Sequence, residues 1–172
     1  RMIQSKTVTW QEWPKQFLSP GSAAREYGRR HRKRIRFFQY IQWIASEQLN
    51  EVLRTAEAAG MPIGIYNDLA LGAERTGAEA WMYQSVLALD ADCGAPPDGF
   101  APEGQNWGLP PVNPVALRPS RYELLIQLLR RTMRFGGAIR LDHVMALSRL
   151  FWIPKGKSES IRRTAMESGS GQ

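Results

Sequence analysis

Two short apolar runs, Pro62-Ile-Gly-Ile-Tyr66 and Ala138-Ile-Arg-Leu-Asp-His-Val144, each follow an amphipathic helical pattern. This recurrence limits the fold more than any other feature of the chain. In the first pattern Phe37, Tyr40, Ile41 and Ile44, then Ala45, Leu49, Val52, Leu53 and Ala56, fall at three- and four-residue steps on one helix face. The spacing predicts a helix over 35–59, stopped by Gly60 at the C′ position with Pro62 just beyond it. Pro62 then suits the first position of a short buried strand, where no ladder donor is needed, and that strand should end at Asn67-Asp68. The second helix is expected to start at the capping-box spacing Ser120-Arg-Tyr-Glu123 and to carry Leu124, Leu125, Leu128, Leu129 and Met133 to Gly136-Gly137. Helix, strand, long connection, helix, strand is a βαβ unit preceded by a helix, and such alternation argues for an α/β fold with a parallel sheet.

The connection between the two strands, residues 67–119, shows little periodicity. A compact domain seldom tolerates so long a loop unless the loop has work to do. A helix is expected over Ala78–Leu89, followed by an ordered Gly- and Pro-rich loop over Cys93–Pro119. In parallel α/β folds the loops leaving the strand C-termini gather on one face. The loop after Tyr66 and the end of the second strand should therefore emerge together. Before the first long helix, Trp13-Pro14 and Ser19-Pro20-Gly21 punctuate an irregular segment, with a short helix over Ser22–Arg30.

The second apolar run carries charge. If it is extended from Ala138 to Val144, Arg140 and Asp142 share one face and Ile139 and Leu141 the other. An arginine two residues from a carboxylate favours its ionised form, which suits a nucleophile or an anchor. The same pair also reads as an ion pair that merely organises the interior of a barrel.

Composition narrows the classes of function. With 172 residues, 43% of them hydrophobic, the chain has enough for one ordinary domain with a core. Six Trp, six Phe and five Tyr suit an aromatic core or a surface on which flat ligands stack. One cysteine, Cys93, excludes an internal disulfide framework and fits a reducing compartment, so a cytoplasmic location is expected. No apolar run approaches the roughly 20 residues of a membrane span, so no membrane partner is expected. The net charge of +7 comes largely from Arg29, Arg30, Arg32, Lys33, Arg34 and Arg36. That run leads into the helical pattern and lacks any finger, RNP or paired-Cys signature. It is read as a solvated helix start, with a basic nucleic-acid-binding module kept as the weaker alternative.

Gly94-Ala-Pro-Pro-Asp98 followed by Gly104-Gln-Asn-Trp-Gly-Leu-Pro110 resembles the 4-α-glucanotransferases, the amylomaltases or disproportionating enzymes of the α-amylase-like (β/α)8 superfamily. The similarity runs in order through Tyr40-Ile-Gln-Trp43, Met61-Pro-Ile-Gly-Ile-Tyr66, Asp68-Leu-Ala70, Gly77-Ala-Glu-Ala-Trp81, Arg140-Leu-Asp-His143 and Phe151-Trp-Ile-Pro154. It implies a fragment of a (β/α)8 TIM barrel with a long βα active-site loop, residues 1–157 forming the central part of the catalytic domain. It further implies retaining transfer of α-1,4-glucan segments between maltooligosaccharides through a covalent glycosyl–aspartate intermediate. By that similarity Asp142 is the nucleophile, Arg140 orients it and His143 lies close to the sugar. Gln105 and Trp107 line the site near the cleavage point. Asp98 and Phe100 belong to a loop over the acceptor groove, and Asp68 is a further substrate-binding candidate. No cofactor or metal is implied.

Each of these residues also has a plainer reading: Trp107 as a core anchor, Gln105 as a loop brace, His143 as a satisfied imidazole, Asp68 as a turn cap. The resemblance places the general-acid glutamate on a later strand and a further aspartate beyond it. Neither is recognised here, so the chain by itself is expected to be inactive, or at most glucan-binding. After Lys155-Gly-Lys157, residues 158–172 read as an unrelated polar tail of linker character, expected to be disordered.

Overall fold

A computed structural model describes residues 9–70, 72–147 and 149–155, so the tail read at 158–172 lies outside the described residues. The chain is mixed α/β and divides into two compact units. One comprises the described residues up to 70 together with 123–142; the other comprises 72–122 with the described residues from 143 on.

In the first unit, α1 (Ser22–Arg30) and α2 (Arg32–Ala58) meet at His31. The His31 ring stacks on Tyr27 with 3.9 Å between centroids, and its Nδ1 lies 2.9 Å from the Tyr27 carbonyl. The expected stop of α2 is a Schellman motif. Gly60 takes φ 75°, its N–H donates to the Glu57 carbonyl, and the Met61 N–H donates to that of Ala56, both at 3.0 Å. No residue of α2 is buried, and its apolar face, with Phe37, Tyr40, Trp43 and Val52, stands about half exposed.

The first strand falls later than the apolar run suggests. Gly64 adopts φ 64° and its N–H closes a turn onto the Met61 carbonyl, so the chain becomes extended only beyond it. The strand β1 is Tyr66–Asp68, and Ile63 and Tyr66 are exposed rather than buried. Two later elements, α5 (Glu123–Met133) and β4 (Ala138–Arg140), complete this unit, while α3 (Ala78–Met82) belongs to the second. As expected, β1 and β4 pair in parallel, Tyr66 opposite Ala138 and Asp68 opposite Arg140. Gly137 permits this approach: its N–H lies 3.1 Å from both the Ile63 and Ile65 carbonyls, and a Cβ there would run into the Ile63 oxygen. Asn67 ties β1 to the last turn of α5 through the Thr132 carbonyl, at 3.1 Å. Ser120 does not form the capping box; its hydroxyl donates instead to the Leu117 carbonyl at 2.6 Å.

The second unit replaces most of the expected loop with structure. A three-stranded antiparallel sheet, ordered β3-β2-β5, joins β2 (Ala91–Ala95), β3 (Gln105–Asn106) and β5 (Phe151–Pro154). Its core gathers Val86, Leu87, Cys93, Ile153, Pro110 and Pro111. Burial pushes the Cys93 thiol up from its ordinary pKa, as desolvation of a thiolate requires. The helix expected over 78–89 stops at Met82, because Leu87 and Ala88 give their backbone groups to the Pro111-Val112 segment. A short α4 (Pro114–Leu117) follows, its first free N–H, that of Val115, capped by the Asn113 side chain at 3.0 Å. Among the described residues, no helix is long and apolar enough to cross a membrane.

Candidate active site

The charged cluster of the first unit arises directly from the register of its parallel pair. Asp68 and Arg140 end their strands side by side, and the Leu69 N–H adds one more rung onto the Arg140 carbonyl at 3.0 Å. Partners in register point to the same face of a sheet. The Arg140 Nε and Nη2 donate to the two oxygens of Asp68, each at 2.7 Å, in a bidentate fork. The carboxylate of Asp142 sits 3.9 Å from the same guanidinium.

This corrects the reading of Arg140 and Asp142 as face-sharing neighbours on one extended strand. β4 ends at Arg140, Asp142 lies in the turn that follows, and His143 takes φ 46°. The tight partner of Arg140 is Asp68, which the sequence offers as a substrate-binding candidate or a turn cap. The hydrogen bonds and charge of Asp68, reinforced by Asp142, push the Arg140 pKa up from its ordinary value, so it is a permanent cation. All three side chains are more than half exposed. The arrangement presents, at the C-terminal ends of two parallel strands, one carboxylate forked onto a fixed cation and a second carboxylate 3.9 Å from that cation.

In the second unit, Gln105, Trp107 and His143 come together. The Trp107 indole N–H donates to Gln105 Oε1 at 3.0 Å, and the His143 ring meets the indole edge-on, 4.9 Å between centroids. The backbone N–H of Trp107 is held by the Cys93 carbonyl at 2.9 Å, which continues the ladder from β2. Gly94, in the middle of β2, is required by this packing: a Cβ there would strike the Gln105 carbonyl. Trp107 is partly exposed, while Gln105 is exposed.

Asp98 and Phe100 occupy the tip of the β2–β3 connection. Asp98 Oδ1 accepts from the N–H groups of Phe100 and Ala101, at 2.8 and 2.7 Å, so one of its oxygens shapes its own turn. The Phe100 ring is fully exposed.

The sequence reading passed over Arg75 and Asp92. Arg75 donates to the carbonyls of Leu89 and Ala91 and to the carboxylate of Asp92, and the two side chains are 14% and 18% exposed. A charged residue inside the apolar segment Ala91-Asp-Cys-Gly-Ala95 was the available signal, since a charge among strand residues needs a partner.

The comparisons with known proteins agree with one another. Residues 2–170 match a model of the 4-alpha-glucanotransferase family, a range that includes most of the polar tail. A 4-alpha-glucanotransferase of Haemophilus influenzae is 39% identical over 156 residues, covering 90% of this chain and 22% of that protein. One from Mycobacterium bovis is 40% identical over 148 residues, covering 86% of this chain and 20% of its own length. The chain therefore spans about a fifth of these curated relatives. Among solved structures, the amylomaltase of Corynebacterium glutamicum is 45% identical with a TM-score of 0.69, over 73% of this chain and 18% of that one. An amylomaltase of Streptococcus agalactiae, solved in complex with acarbose, is 20% identical with a TM-score of 0.72, over 96% and 37% of the two chains. That second likeness speaks for the fold, and the fold is a fragment of the (β/α)8 barrel that the sequence resemblance implied. By the family match and by these relatives together, the chain belongs to the 4-alpha-glucanotransferase family.

Proposed function

We propose that the intact protein carrying this chain is a cytoplasmic retaining 4-α-glucanotransferase acting on maltooligosaccharides and starch-like α-1,4-glucans. The observation that carries this reading is the Asp68–Arg140–Asp142 cluster at the C-terminal ends of parallel strands, where enzymes of this architecture place their chemistry. Asp142 attacks the sugar C1 and forms the glycosyl ester, and Arg140 fixes the field and geometry beside it. Asp68 holds Arg140 in place and contributes to the substrate surface. His143, Gln105 and Trp107 contact the sugar near the cleavage point, and Asp98 and Phe100 contact the acceptor. In a retaining enzyme a second carboxyl, about 5–5.5 Å from the nucleophile, protonates the leaving oxygen. Asp68 does not suit that role, because both of its oxygens accept from Arg140. The general acid is accordingly assigned to a part of the protein outside this chain, and this chain alone is expected to release no glucose from maltotriose.

The test uses the intact protein. Incubated with maltotriose, it should yield glucose together with longer maltooligosaccharides. Rapid acid quenching followed by peptide mass spectrometry should place a glycosyl adduct on the peptide containing Asp142. An adduct on another carboxylate, or products of inverted configuration, would overturn the assignment.

The same reading makes Trp107 a binding residue. Trp107→Ala in the intact protein is expected to raise the KM for maltotriose about tenfold while costing less than about 1.5 kcal/mol of stability, against about 3–5 kcal/mol for a core tryptophan. Denaturant unfolding and steady-state kinetics on the same preparation decide between the two. A large stability loss with unchanged kinetics in the folded fraction returns Trp107 to the role of core anchor.

A further inference from the structure

The turn that carries Trp107 is held from both sides by one amide. Asn106 Nδ2 donates to Asp92 Oδ2 at 3.2 Å, and Asn106 Oδ1 accepts from the Gly108 N–H at 2.8 Å. Asp92 is itself fixed through its other oxygen by Arg75 Nη2, which also donates to the Ala91 carbonyl at 2.6 Å. The result is a relay from the partly buried pair of Arg75 with Asp92 of β2, through the exposed Asn106, to the backbone immediately following Trp107. Gly108 has φ 70°, a conformation to which an unsubstituted Cα is not confined. Backbone bonds of Trp107 to the Cys93 carbonyl and of Cys93 to the Leu109 carbonyl hold the base of the turn, and the Asn106 amide fixes its Gly108 corner.

We propose that Asn106, braced by Asp92 and Arg75, is a positioning residue that holds the Trp107 turn ready to receive the glucan. This rests on the reading of Trp107 as a substrate contact. Asn106 does not itself need to touch sugar, since both ends of its amide are engaged within the protein. Its contribution is preorganisation: a turn already ordered in the free protein loses less conformational freedom when substrate binds. An effect of that kind falls on ground-state binding, so it raises KM and leaves kcat nearly unchanged. A role confined to folding would lower stability and leave KM where it was.

The experiment measures maltotriose kinetics on the intact protein for Asn106→Ala, Trp107→Ala and the double variant. Asn106 is exposed, so its truncation should leave the protein folded. Asn106→Ala is expected to raise KM about fivefold with kcat within about twofold of the parent. The double variant should show a KM no higher than that of Trp107→Ala alone, because the clamp acts only through the indole. An unchanged KM in Asn106→Ala, beside a raised KM in Trp107→Ala, overturns the positioning role and leaves the binding reading standing. Independent, multiplying effects in the double variant overturn it as well. An unchanged KM in Trp107→Ala overturns the binding reading, and the positioning role with it.

Discussion

Asp142→Ala in the intact protein is expected to lower kcat for maltotriose disproportionation by on the order of 10⁴-fold, with substrate affinity changed less than about fivefold. The carboxylate is 71% exposed at the end of a turn and 3.9 Å from the Arg140 guanidinium. Its removal leaves the Asp68–Arg140 fork intact, since that fork is made without it. The loss is therefore confined to the group that would form the bond to C1. Ground-state contacts to other sugar hydroxyls persist, and a group acting only in the chemistry shows itself in kcat. Calorimetric titration of the variant with maltotriose, set beside its kinetics, gives the two numbers needed. Residual activity above about a tenth of the parent would mean that another residue is the nucleophile.

Arg75→Ala is expected to destabilise the protein by about 3 kcal/mol, the lower end of the cost of breaking a buried ion pair, because water retains some access to both partners. The Leu89 and Ala91 carbonyls each lose a donor, and the Asp92 carboxylate keeps only the Asn106 amide among the side-chain donors described. The remaining Asp92 charge then sits at 18% side-chain exposure beside buried Ala91 and Cys93. An exposed pair one helical turn apart, such as Arg54–Glu51, is worth only about 0.3–0.5 kcal/mol, and removing it should scarcely move the unfolding midpoint. Urea denaturation of both variants makes the comparison. A loss below about 1 kcal/mol for Arg75→Ala would show that the pair is solvated and that β2 holds its place without it.

Where the determinants are local, the residues carry the answer unaided. The three- and four-residue spacing from Phe37 to Ala56 and the Gly60 stop are readable because a helix and its Schellman end are settled within one or two turns of chain. The family resemblance is similarly legible, because Gly94-Ala-Pro-Pro-Asp98, Gly104-Gln-Asn-Trp-Gly108 and Arg140-Leu-Asp-His143 occur in order. The need for glycine at 94 is visible only across strands, where a Cβ would strike the Gln105 carbonyl.

What lay beyond the sequence depends on long-range pairing. Cys93–Pro119 reads as loop because its glycines and prolines have poor strand propensity. Yet Ala91–Ala95 becomes the central strand of a sheet, paired with Gln105–Asn106 on one side and with Phe151–Pro154 on the other. Propensity lost there to backbone partners supplied by a segment some sixty residues away, and a single window of sequence cannot see such a partner. The same is true of the site. Side-chain alternation assigned Asp142 to Arg140 because it treated the strand as running on, whereas the parallel register set Asp68 directly opposite. The sequence by itself determined the helices over Ser22–Arg30, Arg32–Ala58 and Glu123–Met133, the Gly60 stop, the parallel pairing and the family. Tertiary structure alone decided which carboxylate Arg140 grips and how Asn106 is clamped, because both follow from the register of strands and no local pattern encodes a register between distant segments.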